Sequence, residues 1–167
     1  MIRVRPSART CIQLAAAIAL FVVAIAASGC QLAFDAEIET YAGVNALRTD
    51  AGLPPLEASQ ELADVARLHS QDMAANHRIQ HAFDNGCTII CVLDALGIER
   101  AWAGENTESN NWEWTDTAYH AVATWKSDAE HLANMMNCHY TRFGSGVTQD
   151  SDGRIYYSMV FEGHADC

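Results

Sequence analysis

Positive charge is scarce in this chain. Its ten Lys and Arg residues are set against twenty-one acids, for a formal net charge of −11. The imbalance sharpens after residue 30, because Arg3, Arg5 and Arg9 precede it while every acid follows it. That leaves no basic stripe to neutralise phosphates, which argues against a nucleic-acid partner. An anionic lipid surface would repel the same segment. There is also no Gly-rich loop to cradle phosphate and no dinucleotide fingerprint. Gly144-Ser145-Gly146 lacks the Gly-x-Ser-x-Gly elbow and falls at the start of a strand pattern, so a serine nucleophile has little support. It reads instead as a strand whose small residues pack closely against a helix. No repeat, low-complexity tract or second domain boundary is visible.

What is present begins with an export layout. The three arginines precede an almost unbroken apolar stretch from Ile12 to Ala27, which ends in Ala27-Ser28-Gly29-Cys30. That is how an export signal is built, and its ending resembles a bacterial lipobox, although Ala27 stands where Leu is usual. The stretch is short for a membrane span of about 20 residues. We expect residues 1–29 to be a signal, 30–36 a short tether and 37–167 one folded domain, exported and held to a membrane by a lipid on Cys30. Ordinary secretion is the alternative. Six cysteines are present, and Cys11 lies in the signal. With Cys30 lipidated, Cys87, Cys91, Cys138 and Cys167 remain, an even number that suits two disulfides with three possible pairings. Cys87–Cys91 with Cys138–Cys167 is favoured, since the second ties the last residue to the domain. Zinc would need a second, matching cysteine pair.

Asp35 is placed to cap a helix reaching about Asp50, with Ile38, Tyr41, Val44 and Leu47 on one side. Gly52 and Pro54-Pro55 stop it. Ser59 is a good N-cap for a second helix to about Asn76, whose inward stripe is Leu62, Val65, Ala66, His69 and Met73. Asp84-Asn85-Gly86 is a turn signal. Helices are expected over 112–125 and 129–137. Two strands, 144–149 and 154–161, follow around the turn Asp150-Ser151-Asp152-Gly153. The class is α+β.

In this order the segments resemble the CAP superfamily of cysteine-rich secretory proteins, antigen 5 and pathogenesis-related proteins, in its compact bacterial branch. The resemblance is carried by Asn45-x-x-Arg48 with Gly52-Leu53-x-x-Leu56, by His69-Ser70-x-x-Met73-Ala74, by His81, by Gly104-Glu105-Asn106, and by Trp125 through His131 to Met136. It spans residues 38–162. It implies an α-β-α sandwich with a small central antiparallel sheet between helices. It also implies a cleft built from His81, Glu105 and His131, with Asp128 as the fourth member because it can share a helix face with His131. Ala129 and Glu130 replace the family's usual Pro-Gly before His131. The Cys87–Cys91 insert is placed either to cap the cleft or to block it.

Two imidazoles and a carboxylate permit three readings. His81, His131 and Glu105 match a common three-ligand set for a divalent metal, zinc above all, with an open position. They would equally serve general acid–base chemistry, or simply satisfy one another's buried polar groups. A His77–His81 pair four residues apart is a weaker metal candidate. His69 reads as a satisfied core histidine, and His120, His139 and His164 have no evident partner. Trp102, Trp112, Trp114 and Tyr119 read as core with one exposed ring, or else as the lining of an apolar groove. The expected function is a monomeric, lipid-anchored envelope binding module. Its cleft would hold a metal and a small or lipidic ligand, or it would serve an envelope protein partner. The rivals are a metal-dependent, peptidase-like hydrolase and a structural envelope or adhesion protein with a vestigial cleft.

Overall fold

The computed structural model describes the backbone of residues 8–164 and 166–167 and the side chains of 29–164 and 166–167. Most of the expected signal, including Ala27 and Ser28, therefore lies outside the described side chains. The chain forms two compact units, Met1–Leu32 and Ala33–Cys167. Helix α1 spans Ala8–Asp50. Residues 30–36, expected as a tether, are helical, so Asp35 sits inside α1 rather than at its start. The reason is local: from Gln31 to Glu37 the sequence has neither Gly nor Pro, and Gln, Leu, Ala and Glu are good helix formers. Among the described residues no helix is long and apolar enough to cross a membrane.

In the second unit α1 ends as the sequence predicts. Gly52 takes a left-handed φ of 77°, and Leu53 N–H donates to the Arg48 carbonyl at 2.9 Å, which satisfies an end carbonyl. Strand β1 (Glu57–Ala58), helix α2 (Gln60–Ala75), helix α3 (Ile89–Ala95), strand β2 (Trp102–Asn110), helices α4 (Thr117–Ser127) and α5 (Ala129–Met135), and strands β3 (Arg142–Gln149) and β4 (Ile155–Gly163) follow. The sheet order is β1-β3-β4-β2. The three long strands are antiparallel, as expected, and β1 adds a short parallel edge beside Arg142 and Phe143.

Strand alternation assigns the layers. Ile155, Tyr157, Met159 and Phe161 face α1, α4 and α5 with Val44, Ala121, Trp125 and Met135. Val160 faces α2 and α3 with Leu62, Val65, Ala66, Ile89 and Leu93, and Tyr156 meets Met73 and Ala74. This is the α-β-α sandwich. Gly144 and Gly146 let α2 lie close on the sheet, because a Cβ at either would overlap the α2 backbone at Ala63 or Ala66–Arg67. Arg48 is fully buried. It donates to the carbonyls of Met135 at 2.8 Å and Asn137 at 2.9 Å, tying α1 to the end of α5.

Three details differ from the sequence expectation. Ile38 is 53% exposed rather than inward, because it points off the stripe formed by Tyr41, Val44 and Leu47. Helix α4 starts at Thr117, which leaves Trp112 and Trp114 in the preceding loop. Residues 102–110 are a strand, although they are mostly polar. Both disulfides pair as favoured, Cys87–Cys91 and Cys138–Cys167.

Candidate functional site

Strand β2 explains why Gly104, Glu105 and Asn106 occur together. Alternate residues face opposite layers. Gly104 and Asn106 face α5, where a Cβ on Gly104 would collide with the Tyr140 hydroxyl and the Asn134 side chain. Asn106 Nδ2 donates to the His131 carbonyl at 3.0 Å. Asn134 Nδ2 donates to Asn106 Oδ1 at 2.9 Å and to the Glu105 carbonyl at 3.1 Å. Two amides thus fasten the helix that carries His131 to the strand that carries Glu105.

Glu105 faces α2 and is buried. Its Oε1 lies 2.5 Å from His69 Nδ1 and accepts from the Ser158 hydroxyl at 2.7 Å. Its Oε2 lies 3.0 Å from His81 Nδ1. Burial alone would raise the carboxyl pKa. The bonds from His69, His81 and Ser158 outweigh it, and the carboxyl is held below its usual value. His81, bonded to that carboxylate, is raised above the usual imidazole value despite partial desolvation, and Glu130 adds through space. The His81 side chain is 61% exposed, so the disulfide insert does not seal it. Instead α3 turns Ile89 and Leu93 into the α2 layer.

The second histidine forms its own pair. Asp128 caps α5, accepting from the Glu130 and His131 N–H groups. That bond to the His131 backbone is the leading cause that lowers its carboxyl pKa. His131 Nδ1 lies 3.0 Å from Asp128 Oδ1 as an ion-pair contact, and this buried nitrogen has no well-aligned hydrogen bond. The structure therefore brings His81 to Glu105 and His131 to Asp128. His81, Glu105 and His131 do not form a set of ligand atoms within 4.8 Å of one another among the described residues.

Sequence reasoning missed His69 as a site residue. It is fully buried, as expected of a core histidine, but one nitrogen binds Glu105 and its Nε2 has no partner. Only the polarity of His69 within an otherwise apolar stripe hinted at this. The His77–His81 pair does not form, because α2 ends at Ala75 and His77 turns to Asp150. The histidines without an evident partner do have neighbours. His120 stacks on Trp112 and His139 on Trp102, while His164 lies 3.2 Å from Glu162. Trp102, Trp112 and Tyr119 are exposed rather than core; the first two stack on the half-buried His139 and His120, and Tyr119 points off the inward side of α4. Trp114 packs partly against the main core.

The model of the cysteine-rich secretory protein family, CAP, matches residues 41–161. Two proteins of Bacillus subtilis are similar. The uncharacterized membrane protein YlbC is 32% identical over 117 residues, covering 70% of this chain and 31% of that protein. The uncharacterized protein YkwD is 29% identical over 105 residues, covering 63% and 39%. This chain thus spans well under half the length of these relatives. A crystal structure of an extracellular, SCP-domain-containing protein from Bacillus anthracis superposes with a TM-score of 0.71 at 25% identity, covering 81% of this chain and 42% of that one.

Proposed function

Since the chain belongs to the cysteine-rich secretory protein (CAP) family, we propose that it is an exported, lipid-anchored binding module whose cleft holds a divalent metal. The carrying observation is the Glu105 carboxylate. Its Oε1 is held by His69 and Ser158, so Oε2 is directed at His81. A ligand carboxylate held in this way by neighbouring groups is pre-oriented for metal.

The donor types, two imidazoles and a carboxylate, suit a divalent ion, although among the described residues their ligand atoms are not yet gathered within 4.8 Å of one another. His81 is largely open to solvent, and His131 offers a buried nitrogen that lacks a well-aligned hydrogen bond. His81, His131 and Glu105 would hold the metal, zinc being suited to two imidazoles and one carboxylate. Bound there, it would supply Lewis acidity. His81 and His131 would each offer a ring nitrogen and Glu105 its carboxylate, with any proton on those atoms going to solvent. Asp128 and Glu130 keep the approach negative. A separate groove of about 350 Å³ between α1 and α2, lined by Phe34, Ile38, Tyr41 and Phe143, supports a small lipidic ligand away from the cleft. Anchoring is supported by the export layout and by Cys30, which is exposed and outside both disulfides.

The test is zinc content and affinity of the full chain in a neutral detergent, against His81→Ala and His131→Ala. We expect a bound ion whose affinity falls at least tenfold in both variants, since each removes one of three ligands. If both variants bind zinc as the wild type does, the cleft is not the site and the cluster is a structural network.

A further inference from the structure

A second group of donors converges where the end of α2 meets the turn between β3 and β4. Asp150 is fixed there by the turn. Its Oδ1 accepts the N–H groups of Asp152 and Arg154, each at 2.9 Å, and its side chain is only 2% exposed. Oδ2 is left facing His77 Nδ1 at 2.9 Å. His77, just past the end of α2, holds a left-handed φ of 49°. Asp152 Oδ2 lies 3.8 Å from the same nitrogen. One nitrogen and two oxygens, from two segments of chain more than seventy positions apart, thus lie within 4.8 Å of one another.

Those spacings suit a metal ion. A tetrahedral ion with bonds of about 2.0–2.1 Å sets its ligands roughly 3.3 Å apart, a value that 2.9 and 3.8 Å straddle. A simple ion pair would need only His77 and Asp150. The third donor, Asp152, is 81% exposed and can close the set by a small side-chain rotation. The imidazole nitrogen favours a transition metal over calcium or magnesium, and the acid excess of the chain favours any cation.

We propose that His77, Asp150 and Asp152 form a second divalent-metal site of the zinc class, separate from the cleft, that clasps the end of α2 to the β3–β4 turn. The protein supplies three ligands and water completes the shell. Any proton on His77 Nδ1 goes to solvent on binding. This site stands whether or not the cleft binds metal.

The test uses cobalt(II), whose visible absorption reports coordination, on the full chain in a neutral detergent, with zinc as competitor. Two variants serve, His77→Asn and Asp152→Asn. Asn tolerates the left-handed backbone at position 77, and both side chains are half or more exposed, so circular dichroism should stay unchanged. Each variant is expected to weaken one cobalt site at least tenfold, while His81→Ala and His131→Ala leave that site intact. Cobalt titrations of both variants that match the wild type, or a wild type with no site that they alter, overturn the proposal. Loss confined to the His81 and His131 variants would support the cleft and sink this second site.

Discussion

At the scale of single residues, Glu105 is the position where burial and charge conflict, and its neighbours decide the outcome. A buried carboxylate without partners would shift toward the neutral acid. Here three hydrogen bonds reverse that, and the signs give a pH window. His81 has its folded pKa raised above 6.5, so its contribution is complete below that value and is lost as pH climbs through the raised one. Glu105 has its folded pKa lowered from 4.5, so its contribution is present above that value and is lost as pH falls through the depressed one. The His81–Glu105 link is therefore strongest between the two. Because His81 is largely exposed, solvent screens much of this effect. The direct readout is the His81 ring titration by NMR in metal-free protein. We expect a midpoint above 6.5 in the wild type that falls toward the ordinary value in Glu105→Gln. A midpoint indifferent to that change would mean that Glu105 does not hold His81.

At the scale of elements, legibility followed periodicity. Helix α2 was readable from its apolar stripe and from Ser59, whose hydroxyl does accept from Leu62 N–H. The β3–β4 hairpin was readable from Asp150 to Gly153, where Gly153 takes a φ of 86°. Strand β2 was not, because Glu105, Asn106, Thr107 and Asn110 are polar and buried. They are stabilised by partners on α2, α4 and α5 that no local pattern announces. The same limit hid His69 and separated His77 from His81, since both depend on where α2 stops relative to the sheet. Small residues in β3 carried a signal whose use appears only in three dimensions. Gly144 lies under the backbone of Leu62 and Ala63. Gly144→Ala forces α2 off the sheet, with an overpacking cost of about 1–3 kcal/mol or more, measurable as a lower urea midpoint. An unchanged midpoint would show that α2 can shift freely and that the close contact does not set the layer spacing.

At the scale of the whole molecule, the fold is a three-layer core closed by covalent ties at two unlike places, and the ties differ in what they constrain. Cys87–Cys91 closes a loop of four residues' separation and shapes the segment leading into α3. Cys138–Cys167 spans twenty-nine and fixes the chain end beyond β4 to the segment between α5 and β3. In the chain-entropy model these loops are worth roughly 2 and 3.6 kcal/mol. The long one also guards a layer in which Arg48 is buried against the carbonyls of Met135 and Asn137. Asn137 is next to Cys138 and Met135 lies three residues before it, so fraying there exposes a buried cation's partners. Replacing Cys138 and Cys167 together by Ser should therefore lower the urea midpoint more than replacing Cys87 and Cys91. The paired double variants avoid a lone reactive thiol in either loop. The reverse order would mean that the α3 segment, with Ile89 and Leu93 plugged into the α2 layer, nucleates more of the structure than its short loop suggests. The weak point of the molecule would then lie beside His81 rather than at the chain end.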